Sequence, residues 1–287
     1  VGLILPFFGV DNHLSVTQYS DVALLGYENG VAQTAGLEFR VADGRRSPGG
    51  WTGISTNVEY ILKWTNGRQR GADYCAIDRG HNLSRLIYEV SDDDFTGLPQ
   101  LVFDITFPTA SMTGAVDDPF GVRTEEAAWI KAFGFRAFKY GRFRIPAMGV
   151  GLKPMFRAYT GLSYRRARYD LPFIDDRNHL NVQEWTTPAG VRGRGQAAVS
   201  RQGQIDFQMT LESLEYPTFR DHIINKFGGD FGKVGSPMWI IHDDQQADRA
   251  VLTMRAGGGE IGSIVTGERL TQRIGSLTWV EHDPKKN

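Results

Sequence analysis

Gln204-Ile205-Asp206-Phe207-Gln208-Met209-Thr210-Leu211-Glu212 alternates polar and apolar side chains without a break. A period of two marks a strand with one face on a core and the other in water. The stretch that follows, Pro217-Thr218-Phe219-Arg220-Asp221-His222-Ile223-Ile224-Asn225-Lys226-Phe227-Gly228-Gly229, changes the period: Phe219, Ile223, Ile224 and Phe227 stand at i, i+4, i+5 and i+8. Pro217 suits a first turn and Gly228 a stop, so an amphipathic helix is expected. Further strands are expected from Met238 to Ile241, Ala250 to Met254 and Ile274 to Glu281. An apolar helix face and an apolar sheet face must cover each other, so residues 196–287 read as a β-domain with one packed helix.

Upstream, residues 1–122 read as an antiparallel β-sandwich, and the whole chain as mainly β. Leu37–Val41, Val58–Trp64 and Leu101–Phe107 carry strand patterns, and Asn82–Val90 fits a short helix or a strand. Turn clusters lie between them, with Asn66-Gly67 the strongest hairpin signal. Between the two domains, residues 123–195 read as a helix and a basic connecting region. Thr124 as N-cap, Glu125 and Glu126 in a first turn and Gly134 past the end predict a helix over Thr124–Phe133. Residues 151–195 suggest an extended connection.

Composition excludes several classes. The chain has 287 residues, 34 glycines and 12 prolines, which disfavours a helical bundle, and one cysteine, Cys75, which excludes an internal disulfide and cysteine-rich metal sites. No run of about 18 apolar residues exists to cross a membrane as a helix. Net charge is −1, yet residues 136–170 hold 9 Lys+Arg against 1 acidic residue. Within this belt, Arg142 and Arg144 fall on one face of an extended strand and Phe143 and Ile145 on the other. Charge segregation of this kind suits contacts between neighbouring molecules. Arg142, Arg144, Arg165, Arg166 and Arg168 are therefore the candidate oligomer-interface residues, and nucleic acid is disfavoured because the chain as a whole is slightly acidic.

No catalytic constellation, metal site or cofactor is expected. His242-Asp243-Asp244 reads as a solvated turn, since neighbours on a strand point to opposite faces. Asp175-Asp176 with His179 reads as a polar loop, and Asp92-Asp93-Asp94 as a solvated acidic turn without the spaced ligands of a calcium loop. Gly193, Gly195 and Gly257-Gly258-Gly259 read as hairpin tips, because no strand–loop–helix with Lys-Ser/Thr surrounds them. Trp51, Tyr60 and Trp64, helped by Asn57 and Asp73, form an alternative sugar-stacking platform of a carbohydrate-binding module, against which core packing is the plainer reading.

The segment from Ile205 to Asp283 combines a clean strand, one helix at Pro217–Phe227, further strands and a closing Ile274-Gly275-Ser276-Leu277-Thr278-Trp279-Val280-Glu281. In this it resembles the β-sheet-plus-helix modules of long-tailed phage tail-tip and baseplate proteins. The resemblance implies a structural, non-enzymatic virion protein, similar to a distal tail protein, that forms a homo-oligomeric ring. Its partners would be copies of itself, neighbouring tail tube and tail-tip proteins, and a host-surface glycan met by the first domain. One departure is order, because a distal tail protein puts its ring domain first.

Overall fold

The strand pairings given below are antiparallel, and the described residues of the computed structural model are 7–16, 18–33, 41, 51–52, 57–78, 81–107, 128–149, 154–165, 174–186, 192–227, 235–241, 251–256, 263–266 and 271–281. The chain divides into two units, one of Val1–Ser163 with Ile241–Ala250, the other of Tyr164–Ile240 with Val251–Asn287. The division thus falls inside the segment read as a connection.

The first unit is an antiparallel β-sandwich. It carries β1 (Phe7–Gly9), β2 (Ala23–Glu28), β3 (Val31–Ala32), β4 (Trp51–Thr52), β5 (Tyr60–Ile77), β6 (Arg85–Ser91), β7 (Gln100–Thr106), β8 (Trp129–Ile145), β9 (Met155–Phe156) and β10 (Ala158–Gly161). Six strands lie in the order β3-β2-β5-β8-β6-β7, β10 pairs with the far half of β5, and β4 with β9 makes a separate ribbon. Along β5 the period of two sends Tyr60, Leu62 and Trp64 into the core. Trp64 sits at its centre, with the rings of Tyr88, Phe138 and Phe143 at centroid distances of 5.5, 6.4 and 5.0 Å. Gly141 is the residue of β8 that faces this indole, where a Cβ would stand 2.2 Å from the ring. A strand interior accepts glycine where another group must approach so closely.

Two expectations fail here. Asn66-Gly67 makes no hairpin: β5 runs straight through it and absorbs the extra residues as a register shift between Thr65 and Arg70. The turn signal is real, but it becomes a bulge because β8 continues past it, from Thr65↔Tyr140 to Arg70↔Phe138, while β2 ends opposite Thr65. The expected helix at Thr124–Phe133 is a strand from Trp129 onward, paired with β5 from Ile77↔Trp129; Thr124 to Ala127 lie outside the described residues. Cross-strand pairing along 17 residues outweighs a helix preference worth a few tenths of a kcal/mol per residue. Arg85–Ser91, open between helix and strand, is a strand.

The second unit is a β-domain with one packed helix. It holds β11 (Tyr164–Arg165), β12 (Ile174–Thr186), β13 (Arg192–Thr210), α1 (Tyr216–Phe219) running on as a π-helix over Arg220–Phe227, β14 (Met238–Ile241), β15 (Val251–Arg255), β16 (Ser263–Thr266) and β17 (Thr271–Glu281). Its sheet runs β14-β15-β17-β13-β12, with β16 on the edge of β17. The helix buries Phe219, Ile223, Ile224 and Phe227, and the Phe219 ring lies 4.9 Å from that of Phe207 on β13. Spacings of i+4, i+5 and i+8 suit the wide i→i+5 turn. Thr253, fully buried, donates its hydroxyl to the carbonyl of Met238 at 2.9 Å, which removes the cost of a polar group in this core.

Among the described residues, the expected extended connection is mostly sheet. Asp175, Asp176 and His179 lie in β12 and not in a polar loop, and Gly193 and Gly195 pair inside β13 with Trp185 and Gln183 instead of forming a tip. His242-Asp243-Asp244 and Gly257-Gly258-Gly259 lie outside the described residues.

Candidate functional site

The side chains of β5 that do not enter the first core, Ile61, Lys63 and Thr65, begin an outward face whose rows follow from register. One row runs Tyr27, Ile61, Arg144, Ile87, Asp104; the next Leu25, Lys63, Arg142, Glu89; the third Ala23, Thr65, Tyr140, Ser91. One side is apolar and the other is laced by ions. The Nε of Arg142 donates to Glu89 at 2.7 Å, and Arg144 donates to Glu59 from Nε at 3.2 Å and Nη2 at 2.8 Å while its Nη1 stands 3.6 Å from Glu89. Arg85 grips Asp104 with two bonds, at 2.8 and 2.5 Å. These bonds hold the Asp104 carboxyl below its ordinary range and push the Arg144 guanidinium up, chiefly through Glu59.

The Ser91–Gly97 loop closes one end of the face. Asp93 ties it, accepting from the Ser91 hydroxyl and, at 2.9 Å, from the Gly97 amide, so that its carboxyl is held below the usual range first of all by Ser91. Asp92 accepts from Gln69 at 3.0 Å and the Lys139 amide at 3.2 Å, and Asp94 pairs with Lys63. The acidic triplet is therefore occupied by the protein's own donors. Asp94 and Phe95 both take left-handed backbone angles, φ 62° and 64°, a costly conformation for a bulky residue. The result sets the Phe95 ring 4.2 Å from the Arg142 guanidinium. Tyr140 stands nearby with the ammonium groups of Lys139 and Lys63 at 5.4 and 5.9 Å from its ring. Two rings, edged by paired donors and acceptors, thus share one solvent-facing surface.

Two of the residues singled out from the sequence lie on it. Arg142 and Arg144 face outward as expected and find their carboxylates within the chain. Arg165 belongs to β11, and Arg166 and Arg168 lie outside the described residues. The alternative stacking platform does not form from Tyr60 and Trp64, which are 1% and 0% exposed and pack in the core as the plainer reading had it. Both share the parity of Leu62 and turn into the core. Trp51 pairs through β4 with Phe156. Asp73 is engaged by the Ser163 amide and hydroxyl at 2.7 and 2.9 Å. Tyr140, Phe95 and Lys63 escaped the sequence reading, although the parity of Arg142 and Arg144 already points to Tyr140.

The interior of this unit holds further titratable groups. Asp11, 4% exposed, accepts from the Tyr19 hydroxyl and the Leu162 amide at 2.9 Å and faces His13 Nε2 at 3.4 Å, while its carbonyl accepts from Tyr74 at 2.5 Å. Burial raises the Tyr19 and Tyr74 hydroxyls well above their ordinary range, with Asp11 adding to both. Cys75 is fully buried and its thiol is pushed up, a poor setting for a nucleophile. Among the described residues, no group of three or more His, Cys, Asp or Glu is placed to hold a metal ion, and no helix is long and apolar enough to cross a membrane.

His81 is buried against Phe107, and burial lowers its pKa from 6.5 to about 4. The folded state binds this proton more weakly than the unfolded state. The stabilisation is thus complete above pH 6.5 and is lost as the pH falls toward 4, up to about 3 kcal/mol in all. Urea midpoints measured between pH 7 and 4 are expected to fall for the wild type and to flatten in His81→Gln.

No family model and no curated protein matches the chain. Among solved structures it is similar to chitosan-binding module 1 of a Paenibacillus chitosanase/glucanase (15% identity, 52% of this chain and 97% of that one, TM-score 0.37). It is also similar to the family 32 CBM of Clostridium perfringens NanJ in complex with galactose (12%, 50% and 92%, TM-score 0.33). A third is a Ruminococcus gnavus GH29 fucosidase in complex with fucose (12% identity, 53% of this chain, TM-score 0.38), of which the chain spans 26%. At such identities and TM-scores these likenesses carry nothing about a ligand.

Proposed function

We propose that this chain is a non-catalytic binding protein whose first unit takes a glycan on the outward face around Tyr140 and Phe95. The observation that supports this reading is the pairing of aromatic rings with fixed ion pairs on a surface the core does not need. A sugar offers an apolar C–H face and a rim of hydroxyls, each both donor and acceptor. Rings suit the first, and carboxylates beside guanidinium or ammonium groups suit the second. The Glu89, Glu59 and Asp94 partnerships hold these charged side chains in place before a ligand arrives, which lowers the ordering cost of binding. In a virion tail tip, the setting implied by the resemblance of Ile205–Asp283, such a face would meet a host-surface glycan.

The test is a broad glycan array probed with the full chain, followed by titration of the best ligand. Tyr140→Ala and Phe95→Ala are each expected to weaken binding about tenfold, roughly 1.4 kcal/mol, with thermal unfolding of the Tyr140 variant little changed. Silence across the array, or binding indifferent to both substitutions, would overturn the reading.

A further inference from the structure

We propose that the free edge of β16 is where two copies of this chain join, a matter separate from the glycan reading. Ser263-Ile264-Val265-Thr266 pairs with β17 on one side, from Ser263↔Ile274 to Thr266↔Thr271, and among the described residues has no strand on its other side. The row of backbone donors and acceptors on that side is a template for another strand.

Two features set this edge apart from an ordinary one. Natural edges are blunted by lysine, proline, an inward charge or a bulge, and β16 has none of these: its four residues are uncharged and its register is unbroken. All four are also exposed, with Ile264 at 59% and Val265 at 49%. Register explains why. Ile264 lies opposite Arg273, which lies opposite Met209, and Met209 is 4% exposed. Ile264 therefore points to the core side of the sheet, at a place the core layer does not reach. Val265 shares the other side with Ile274, itself 40% exposed. Apolar side chains stand uncovered on both faces of one short strand.

The strand suits its own copy. A two-fold axis normal to the sheet and passing midway between Ile264 and its counterpart keeps core side with core side, opposes the two Ile264 residues and sets Ser263 against Val265. No charge meets a like charge, and β-branched residues across strands are favourable neighbours. Because the same patch serves both partners, pairing uses up the edge and stops at two chains joined there.

Sedimentation equilibrium of the full chain from low to high micromolar concentration tests this, with Ile264→Lys and Val265→Lys alongside. The wild type is expected to pass from monomer to dimer, and each variant to raise the dissociation constant at least tenfold. Thermal unfolding of both variants at low concentration should match the wild type, since each side chain is about half exposed. A wild type that stays monomeric throughout, or an assembly unmoved by both substitutions, would overturn the proposal.

Discussion

Trp64→Ala is expected to destabilise the first unit by about 3–5 kcal/mol, the range for deleting a large buried aromatic. The indole is wholly buried between Tyr88, Phe138 and Phe143 and presses on the α-carbon of Gly141. No neighbour can collapse into the space without breaking the pairing of β5 with β8, so the cavity persists. Urea unfolding followed by tryptophan fluorescence and circular dichroism should show an earlier transition for this unit, with that of the second unit unmoved. Any loss of ligand binding in this variant would follow from unfolding, which is why Tyr140 and not Trp64 is the position that probes recognition. A change below about 1 kcal/mol would contradict the packing described.

Asp11→Ala should cost a similar amount, about 3–5 kcal/mol, for an electrostatic reason. The carboxylate is buried and is the acceptor for the Tyr19 hydroxyl and the Leu162 amide, with His13 beside it. Removing it leaves the part-buried Tyr19 hydroxyl and Leu162 amide without their acceptor beside the buried His13, and each orphan carries its own desolvation penalty. The bonds also join the segment after β1 to the end of β10, so the loss should appear locally first. Hydrogen exchange at the Leu162 and His13 amides is expected to accelerate before global unfolding. Asp11→Asn, which keeps one acceptor oxygen, should lose less. Equal losses in the two variants would mean that shape and not hydrogen bonding is what Asp11 supplies.

Period-two alternation carried much of this architecture. Gln204–Glu212 and Leu101–Phe107 are legible because one face of each meets a core and the other meets water, and this asymmetry is written residue by residue. β17 alternates in the same way, β14 and β15 were legible as short apolar runs that bury adjacent residues, and the helix through Phe227 because its apolar spacing and its Pro and Gly punctuation agree. The parity of Arg142 and Arg144 against Phe143 and Ile145 was likewise readable, which placed two members of the outward face before any coordinates.

Other features depend on partners far away in the chain. Thr124–Phe133 carries sound local helix signals, yet Trp129–Phe133 is strand because β5 offers it a continuous partner. Asn66-Gly67 is a hairpin signal that became a bulge because β8 runs on beside β5 on both sides of it. For Tyr60 and Trp64 core packing was the plainer reading and a sugar platform the alternative, and the sheet placed both in the core, while Lys63, Tyr140 and Phe95 came together only through strand order β5-β8-β6 and the strained loop after β6. By itself the sequence determined which segments are amphipathic and with what period, since burial of alternate side chains is a local constraint. Only the tertiary structure decided which strands lie side by side, and with them the ion pairs and rings of the outward face, because contacts between residues 19 to 85 positions apart leave no mark in a local pattern.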